Sequence, residues 1–305
     1  MSITETQLLE QGKKACYETF EHDKALNLYE KAIKLNPDFA NAYAEKANVL
    51  RYLHKYEEAL VFANKSIDLN FNCWLGYFQK IRALMNLQKK EEAEEIFTNF
   101  IADFYLKNPE QYDKNEEFLF HLSNVLCELK HSTEAIESFD ELIKINPNNP
   151  VYYANKSHSF YTLERYEEAV EFVNKAIELD PNYANAYQKK AIYFCCLERY
   201  EEAIEFVNKA IDINPNDATF YQNKANCFYG LERYEEAIEF VNKAIELDPN
   251  DANSYQNKAI YFYDLKRYEE AVKYYDKAID LNPNDLKSKH WREEALKHQG
   301  LKQDK

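Results

Sequence analysis

Three acidic pairs, Glu167 with Glu168, Glu201 with Glu202 and Glu235 with Glu236, could do chemistry, because adjacent carboxylates can divide general acid and general base roles. They recur identically, however, whereas a catalytic site is unique. Each pair opens a helical stretch, where negative charge suits the positive end of the helix dipole, so they read as solvated helix starts. The seven His, at 22, 54, 121, 131, 158, 290 and 298, form no His-Glu-x-x-His or other short ligand pattern. Cys195 and Cys196 are adjacent and Cys227 lies one repeat further on, which could bring three thiols together. They lack the fourth ligand and the x-x spacing of a zinc site, and read as small packing residues. Gly12, Gly76, Gly230 and Gly300 cannot build a phosphate-cradling loop. The expectation is a chain that is no enzyme and needs neither metal nor cofactor.

The surrounding sequence must then supply a surface. It is 46% hydrophobic, with only 4 Gly and 8 Pro in 305 residues, and its abundant Ala, Glu, Lys, Leu and Ile favour helix nearly throughout. The net charge of -15 disfavours nucleic acid and favours a basic or mixed-charge protein partner. No stretch is long and apolar enough to span a bilayer, and the N-terminus lacks the basic flank and apolar run of a secretion signal. Six scattered Cys make no disulfide framework, which suits a reducing compartment and a cytoplasmic location, with no membrane partner.

The 25 Tyr and 19 Phe recur at intervals. The block Glu-Arg-Tyr-Glu-Glu-Ala opens at Glu164, Glu198 and Glu232, with a variant at Lys266, so the period is 34. Its Ala falls at 25, 59, 93, 135, 169, 203, 237 and 271, and only the step from Ala93 to Ala135 is longer, at 42. Twelve residues beyond the anchor come Pro37, Pro181, Pro215, Pro249 or Pro283, which stop a helix, and the following Asn and Asp cap the next one. Each repeat reads as helix, turn, helix, turn. Tyr187, Ala191, Phe194 and Leu197 share one face of a first helix, and Tyr200, Ala203, Val207 and Ala210 one face of a second. A lone hairpin cannot bury such a face, so neighbours must stack.

This pattern resembles the tetratricopeptide repeat family, with an aromatic near position four, a small residue at eight, Tyr at seventeen, Ala at twenty and twenty-seven, and Pro at thirty-two. The resemblance implies an all-α, right-handed superhelical solenoid of helix-turn-helix hairpins, eight repeats starting near residues 6, 40, 74, 116, 150, 184, 218 and 252. Three departures stand out: Ala replaces Gly at position eight in most repeats, the usual turn Gly is absent, and position seven holds Lys46, Lys80, Lys156, Lys190, Lys224 and Lys258. These Lys stems are expected to lie on apolar surface with the ammonium in water. Repeats one to three occupy 1–105, an irregular insertion 106–115, repeats four to eight 116–285, and a basic amphipathic capping helix and tail 286–305, with Trp291, Ala295 and Leu296 on its apolar face. The second helix of repeat three is expected to run past Phe104 and break near Asn108 and Pro109.

In the family, first helices line a concave groove. The corresponding positions here are Asn155, Tyr161, Asn185, Gln188, Lys189, Gln222, Asn223, Asn226, Tyr229, Asn253, Gln256, Asn257 and Tyr263. Side-chain amides carry both donors and an acceptor, so a ladder of them complements an extended backbone whatever its side chains. This implies a noncatalytic scaffold or adaptor for an extended peptide or protein segment. The family's carboxylate clamp is not matched: Asn48 fits, but Ala44 stands where Lys is required and Glu45 would repel a carboxylate. The alternative is an accessory or substrate-recruiting subunit of an enzyme complex, working through an acidic convex surface.

Overall fold

The computed structural model describes residues 3–105 and 114–303. Among these are seventeen α-helices and no strand. In unit 1, spanning Met1–Pro147, they are α1 (Glu5–Tyr17), α2 (His22–Leu35), α3 (Ala40–Tyr52), α4 (Tyr56–Leu69), α5 (Trp74–Asn86), α6 (Lys90–Phe100), α7 (Glu116–Glu128) and α8 (Ser132–Ile145). Unit 2, spanning Asn148–Lys305, contains α9 (Pro150–Thr162), α10 (Tyr166–Leu179), α11 (Ala184–Cys196), α12 (Tyr200–Ile213), α13 (Ala218–Gly230), α14 (Tyr234–Leu247), α15 (Ala252–Asp264), α16 (Tyr268–Leu281) and α17 (Leu286–Gln303). Consecutive helices pair, which fits about eight hairpins and a last helix.

Local chemistry sets the ends. The second helices stop at Asn36, Asp180, Asn214, Asp248 and Asn282, all outside the helical region of backbone angles, because the Pro that follows each disfavours the helical conformation. The side chains of Asn149, Asp217 and Asp251 then accept hydrogen bonds from backbone N–H groups two or three residues on, capping α9, α13 and α15. Within each hairpin one residue turns left-handed: Phe20, His54, Gln88, Lys130, Glu164, Glu198, Glu232 and Lys266 have φ between 55° and 66°. This is the turn where the sequence lacks glycine, and the conformation is adopted regardless.

Small residues sit where helices cross. Ala191, Ala203 and Ala210 are fully buried, with Phe194 and Val207 filling the space between them. Gly12 is the extreme case, since a methyl group there would overlap the ring of the fully buried Tyr29. Gly12→Ala is expected to destabilise unit 1 by about 1–3 kcal/mol in a urea titration, whereas Gly300→Ala, which meets nothing and favours the helix, should not lower the midpoint.

Five of the six position-seven lysines set the ammonium over an aromatic ring and not simply in water. Lys46 Nζ lies 4.2 Å from the centre of the Phe62 ring, Lys156 4.0 Å from Phe172, Lys190 3.9 Å from Phe206, Lys224 4.0 Å from Phe240 and Lys258 3.9 Å from Tyr274. The guanidinium groups of Arg165, Arg199, Arg233 and Arg267 cap the neighbouring rings of Phe160, Phe194, Phe228 and Phe262 at 4.3–4.7 Å. In each hairpin of unit 2 two packed aromatic rings are therefore held between two cations. Ring quadrupoles replace part of the lost hydration, which is how Lys156 and Lys258 tolerate burial.

At the interruption α6 continues as a π-helical turn, Ile101–Tyr105, while the expected break near Asn108 and Pro109 lies outside the described residues. The compact units part at Pro147, one hairpin beyond the interruption. The reason is aromatic: Phe118 of α7 packs 5.5 Å from Phe78 and 5.6 Å from Trp74 of α5. At the other end α17 buries Ser288 and Ala295, whereas Trp291 and Leu296 are 42% and 40% exposed, so the buried stripe is narrower than Trp291, Ala295 and Leu296 together. Among the described residues no helix is long and apolar enough to cross a membrane.

Candidate peptide-binding groove

Five of the sequence-selected residues meet in one place. Asn155 and Tyr161 of α9 and Asn185, Gln188 and Lys189 of α11 line a concavity of about 520 Å³, together with Asp217 and Thr219 at the start of α13. Tyr183, Ile192, Tyr193 and His158 complete the lining. Selecting first-helix positions alone missed Tyr183 and Asp217. Each immediately precedes a first helix, so the capping residue of the next hairpin was the signal. Burial, with Lys189 nearby, lowers the His158 pKa to about 4, so the ring is a neutral imidazole. The wall is thus mainly amide, phenol and neutral imidazole, with one ammonium and one carboxylate.

Of the eight other selected residues, Gln222, Asn226, Tyr229, Gln256 and Tyr263 make contacts between neighbouring helices. The Gln222 side-chain amide donates to Asp251 Oδ2 at 2.6 Å and Ser254 Oγ at 2.7 Å. Gln256 does the same to Asp285 Oδ2 at 2.8 Å and Ser288 Oγ at 2.9 Å. Both are latches from one hairpin to the cap of the next first helix. Asn226 accepts from the Tyr261 hydroxyl at 2.9 Å, and Tyr229 donates to Asp264 Oδ2 at 2.8 Å. Tyr263 packs edge-on against Trp291 at 5.5 Å. Asn223 Nδ2 is buried with no hydrogen-bond partner, Asn253 is exposed and Asn257 half-buried. Gln188 escapes the latch because Phe220 stands where Ser254 and Ser288 stand in the following hairpins.

Several inner positions of unit 1 are filled by its own polar side chains. Glu45, Asn48 and Gln79 are 1% exposed, and Arg82 and His121 are also buried. Lys13 of α1 reaches Glu117 of α7 at 2.8 Å and lies 3.7 Å from Glu45. Tyr17 donates to Glu45 Oε2 at 2.9 Å and accepts from the Asn48 amide at 2.6 Å. The two residues weighed for a carboxylate clamp are therefore structural.

Burial raises the Glu45 pKa to about 7, against the opposing pull of Lys13 and the Tyr17 hydroxyl. The folded chain takes up a proton here that the unfolded chain accepts only near 4.5, so this group adds stability as pH falls from about 7 towards 4.5. Above that window the charged form costs on the order of 3 kcal/mol. Glu45→Gln is expected to raise the melting temperature at about pH 8 and change it little at about pH 5. An equal change at both would show that ionisation is not the cause.

The acidic pairs are half-neutralised at the helix starts. Arg199 holds Glu202 at 2.6 Å, Arg233 holds Glu236 at 2.5 Å, and Arg165 and Arg267 hold Glu168 and Glu270 in the same manner. These contacts lower the pKa values of Glu168, Glu202 and Glu270.

Comparison with known proteins places this architecture. Tetratricopeptide repeat models match residues 218–284; 28–61 and 172–205; and 14–39, 116–149, 151–183 and 196–217. No curated protein sequence matches. Among solved structures, the Cut9–Hcn1 hetero-tetramer of the APC/C is 15% identical with a TM-score of 0.62, the match covering 90% of this chain and 52% of that one. TTC0263, a thermophilic TPR protein of Thermus thermophilus, is 21% identical with a TM-score of 0.54, covering 60% of this chain and 99% of that one. MamA from Desulfovibrio magneticus RS-1 is 21% identical with a TM-score of 0.49, covering 56% and 97%. The chain belongs to the tetratricopeptide repeat family, whose fold generally serves as a non-catalytic scaffold for protein interaction.

Proposed function

We propose that this chain is a cytoplasmic adaptor that holds an extended peptide segment in the concavity between α9, α11 and the start of α13. The observation that supports this reading is the convergence of Asn155, Tyr161, Asn185, Gln188 and Lys189 on one opening. Gln188 and Asn185 offer donors and acceptors to a peptide backbone, and Tyr161 gives apolar area with a polar edge. Lys189 adds one positive charge and Asp217 one negative, so the segment best matched is of mixed charge.

Crosslinking mass spectrometry in native lysate identifies the partner and the face it touches. Crosslinks from Lys189 are expected, and the double variant Asn185→Ala, Gln188→Ala should bind the identified segment roughly tenfold more weakly at unchanged melting temperature, on the basis of one or two lost hydrogen bonds. Unchanged affinity would reject the groove. An acidic outer surface, the competing route to a role in an enzyme complex, predicts affinity falling steeply with salt and crosslinks confined to the second helices. The Arg–Glu pairing at those helix starts reduces the charge available for that route.

A further inference from the structure

Along unit 2, the twelfth residue of one repeat meets the tenth of the next in a slot between successive first helices. Tyr161 of α9 stacks on Tyr193 of α11 with ring centres 5.3 Å apart, and Tyr229 of α13 stacks on Tyr261 of α15 at 5.1 Å. The slot between these two, joining α11 to α13, holds Cys195 and Cys227, whose Sγ atoms are 2.9 Å apart. Both members of the tyrosine pair are thus replaced by cysteine together. Exchange of one alone would set a lone thiol against a tyrosine and leave a cavity or a clash. Cys227 is fully buried among Ala191, Phe194, Ala203 and Val207, while Cys195 is half-buried and open to small solutes. Two thiols fall short of the ligand set of a structural zinc site.

We propose that Cys195 and Cys227 form a peroxide-responsive disulfide that ties α11 to α13. Cys195, the more exposed sulfur, loses its proton and attacks one oxygen of hydrogen peroxide. The O–O bond breaks, and the departing hydroxide combines with that proton as water, leaving a sulfenic acid on Cys195. Cys227 then attacks the sulfenyl sulfur as a thiolate. The S–O bond breaks, and hydroxide leaves with the Cys227 proton as a second water. Two thiols and one peroxide give one disulfide and two waters, the sulfurs losing two electrons that the peroxide oxygens gain. Closing from 2.9 Å to a bond of about 2.05 Å needs a shift of less than an ångström. The tie fixes the spacing between α11, which carries Asn185, Gln188 and Lys189, and α13. The chemistry stands independently of whether a peptide binds there.

The test is peroxide treatment of the full chain, unfolding in the presence of an alkylating agent, and peptide mapping without reductant. The expected product is a linked pair of peptides carrying Cys195 and Cys227, lighter by two hydrogens, with Cys16, Cys73 and Cys127 alkylated. Cys196→Ser should leave that product intact, and Cys227→Ser should leave a Cys195 sulfenic acid that dimedone traps. The double variant Cys195→Tyr, Cys227→Tyr restores the stacked pair of the neighbouring slots. It should fold and lose the rise in melting temperature that peroxide produces in the parent chain. Full alkylation of Cys195 and Cys227 after peroxide, or a disulfide between Cys195 and Cys196 in their place, overturns the proposal.

Discussion

Phe78→Ala lowers the unfolding free energy of unit 1 by an expected 3–5 kcal/mol, roughly the cost of removing a fully buried phenylalanine. Phe78 is 0% exposed, and its ring centre lies 5.3 Å from Phe100, 5.5 Å from Phe118 and 5.7 Å from Trp74. It therefore joins α5 to both α6 and α7, across the interruption of the repeat. The ring cannot be replaced by local collapse, because two other helices, α6 and α7, would both have to move towards one Ala on α5. Trp74 and Trp291 are the two tryptophans, one in each unit, so fluorescence of Trp291→Phe chains in urea reports on unit 1 alone. Phe71→Ala is the control: that ring is 64% exposed, and its loss should cost no more than about 0.5 kcal/mol. A loss of under about 1 kcal/mol for Phe78→Ala would mean that the aromatic cluster does not couple the hairpins on either side of the interruption.

The importance of Phe78 was not visible in the repeat pattern, and the reason shows what such a pattern encodes. Anchors such as Ala203 and Pro215 recur because every hairpin meets the same local problem of close helix crossing or chain reversal, so period and residue type suffice to locate them. Phe118 and Phe100 owe their role to a third helix arriving after an interruption, which no local spacing records. The groove divides in the same way. Asn155, Asn185 and Gln188 were found from position alone, and they line one opening. Gln222 and Gln256 occupy the same position as Gln188, yet are latched, because the residue three beyond the next cap is Ser254 or Ser288 and not Phe220. A position thirty-two residues away decides whether an amide is part of the wall or part of the frame. The cations at Lys156 and Arg165 were legible as residues, but not as partners of a stacked ring pair, since Phe160 and Phe172 belong to different helices of the hairpin.

The second large effect is a gain. Glu164, Glu198 and Glu232 hold φ of 58° to 59°, a left-handed conformation in which an L side chain crowds its own backbone and glycine does not. Replacing all three with Gly should raise the unfolding free energy of unit 2 by about 2–3 kcal/mol. Each relieved turn contributes about 1 kcal/mol, less part of the entropy that glycine adds to the unfolded chain. The sites lie in successive hairpins with no shared partner, so their effects should add. The side chains lost are exposed, and the Arg–Glu pairs of the following helices use Glu168, Glu202 and Glu236, which stay in place. The three variants should therefore shift the urea midpoint in equal steps. If the triple variant matches the parent chain, the turn is held without strain by the hydrogen bonds from Arg165, Arg199 and Arg233 N–H back to the Phe160, Phe194 and Phe228 carbonyls. Those bonds close every turn whatever its left-handed residue, which is why a family position normally given to glycine can be filled here by glutamate at a cost the array absorbs.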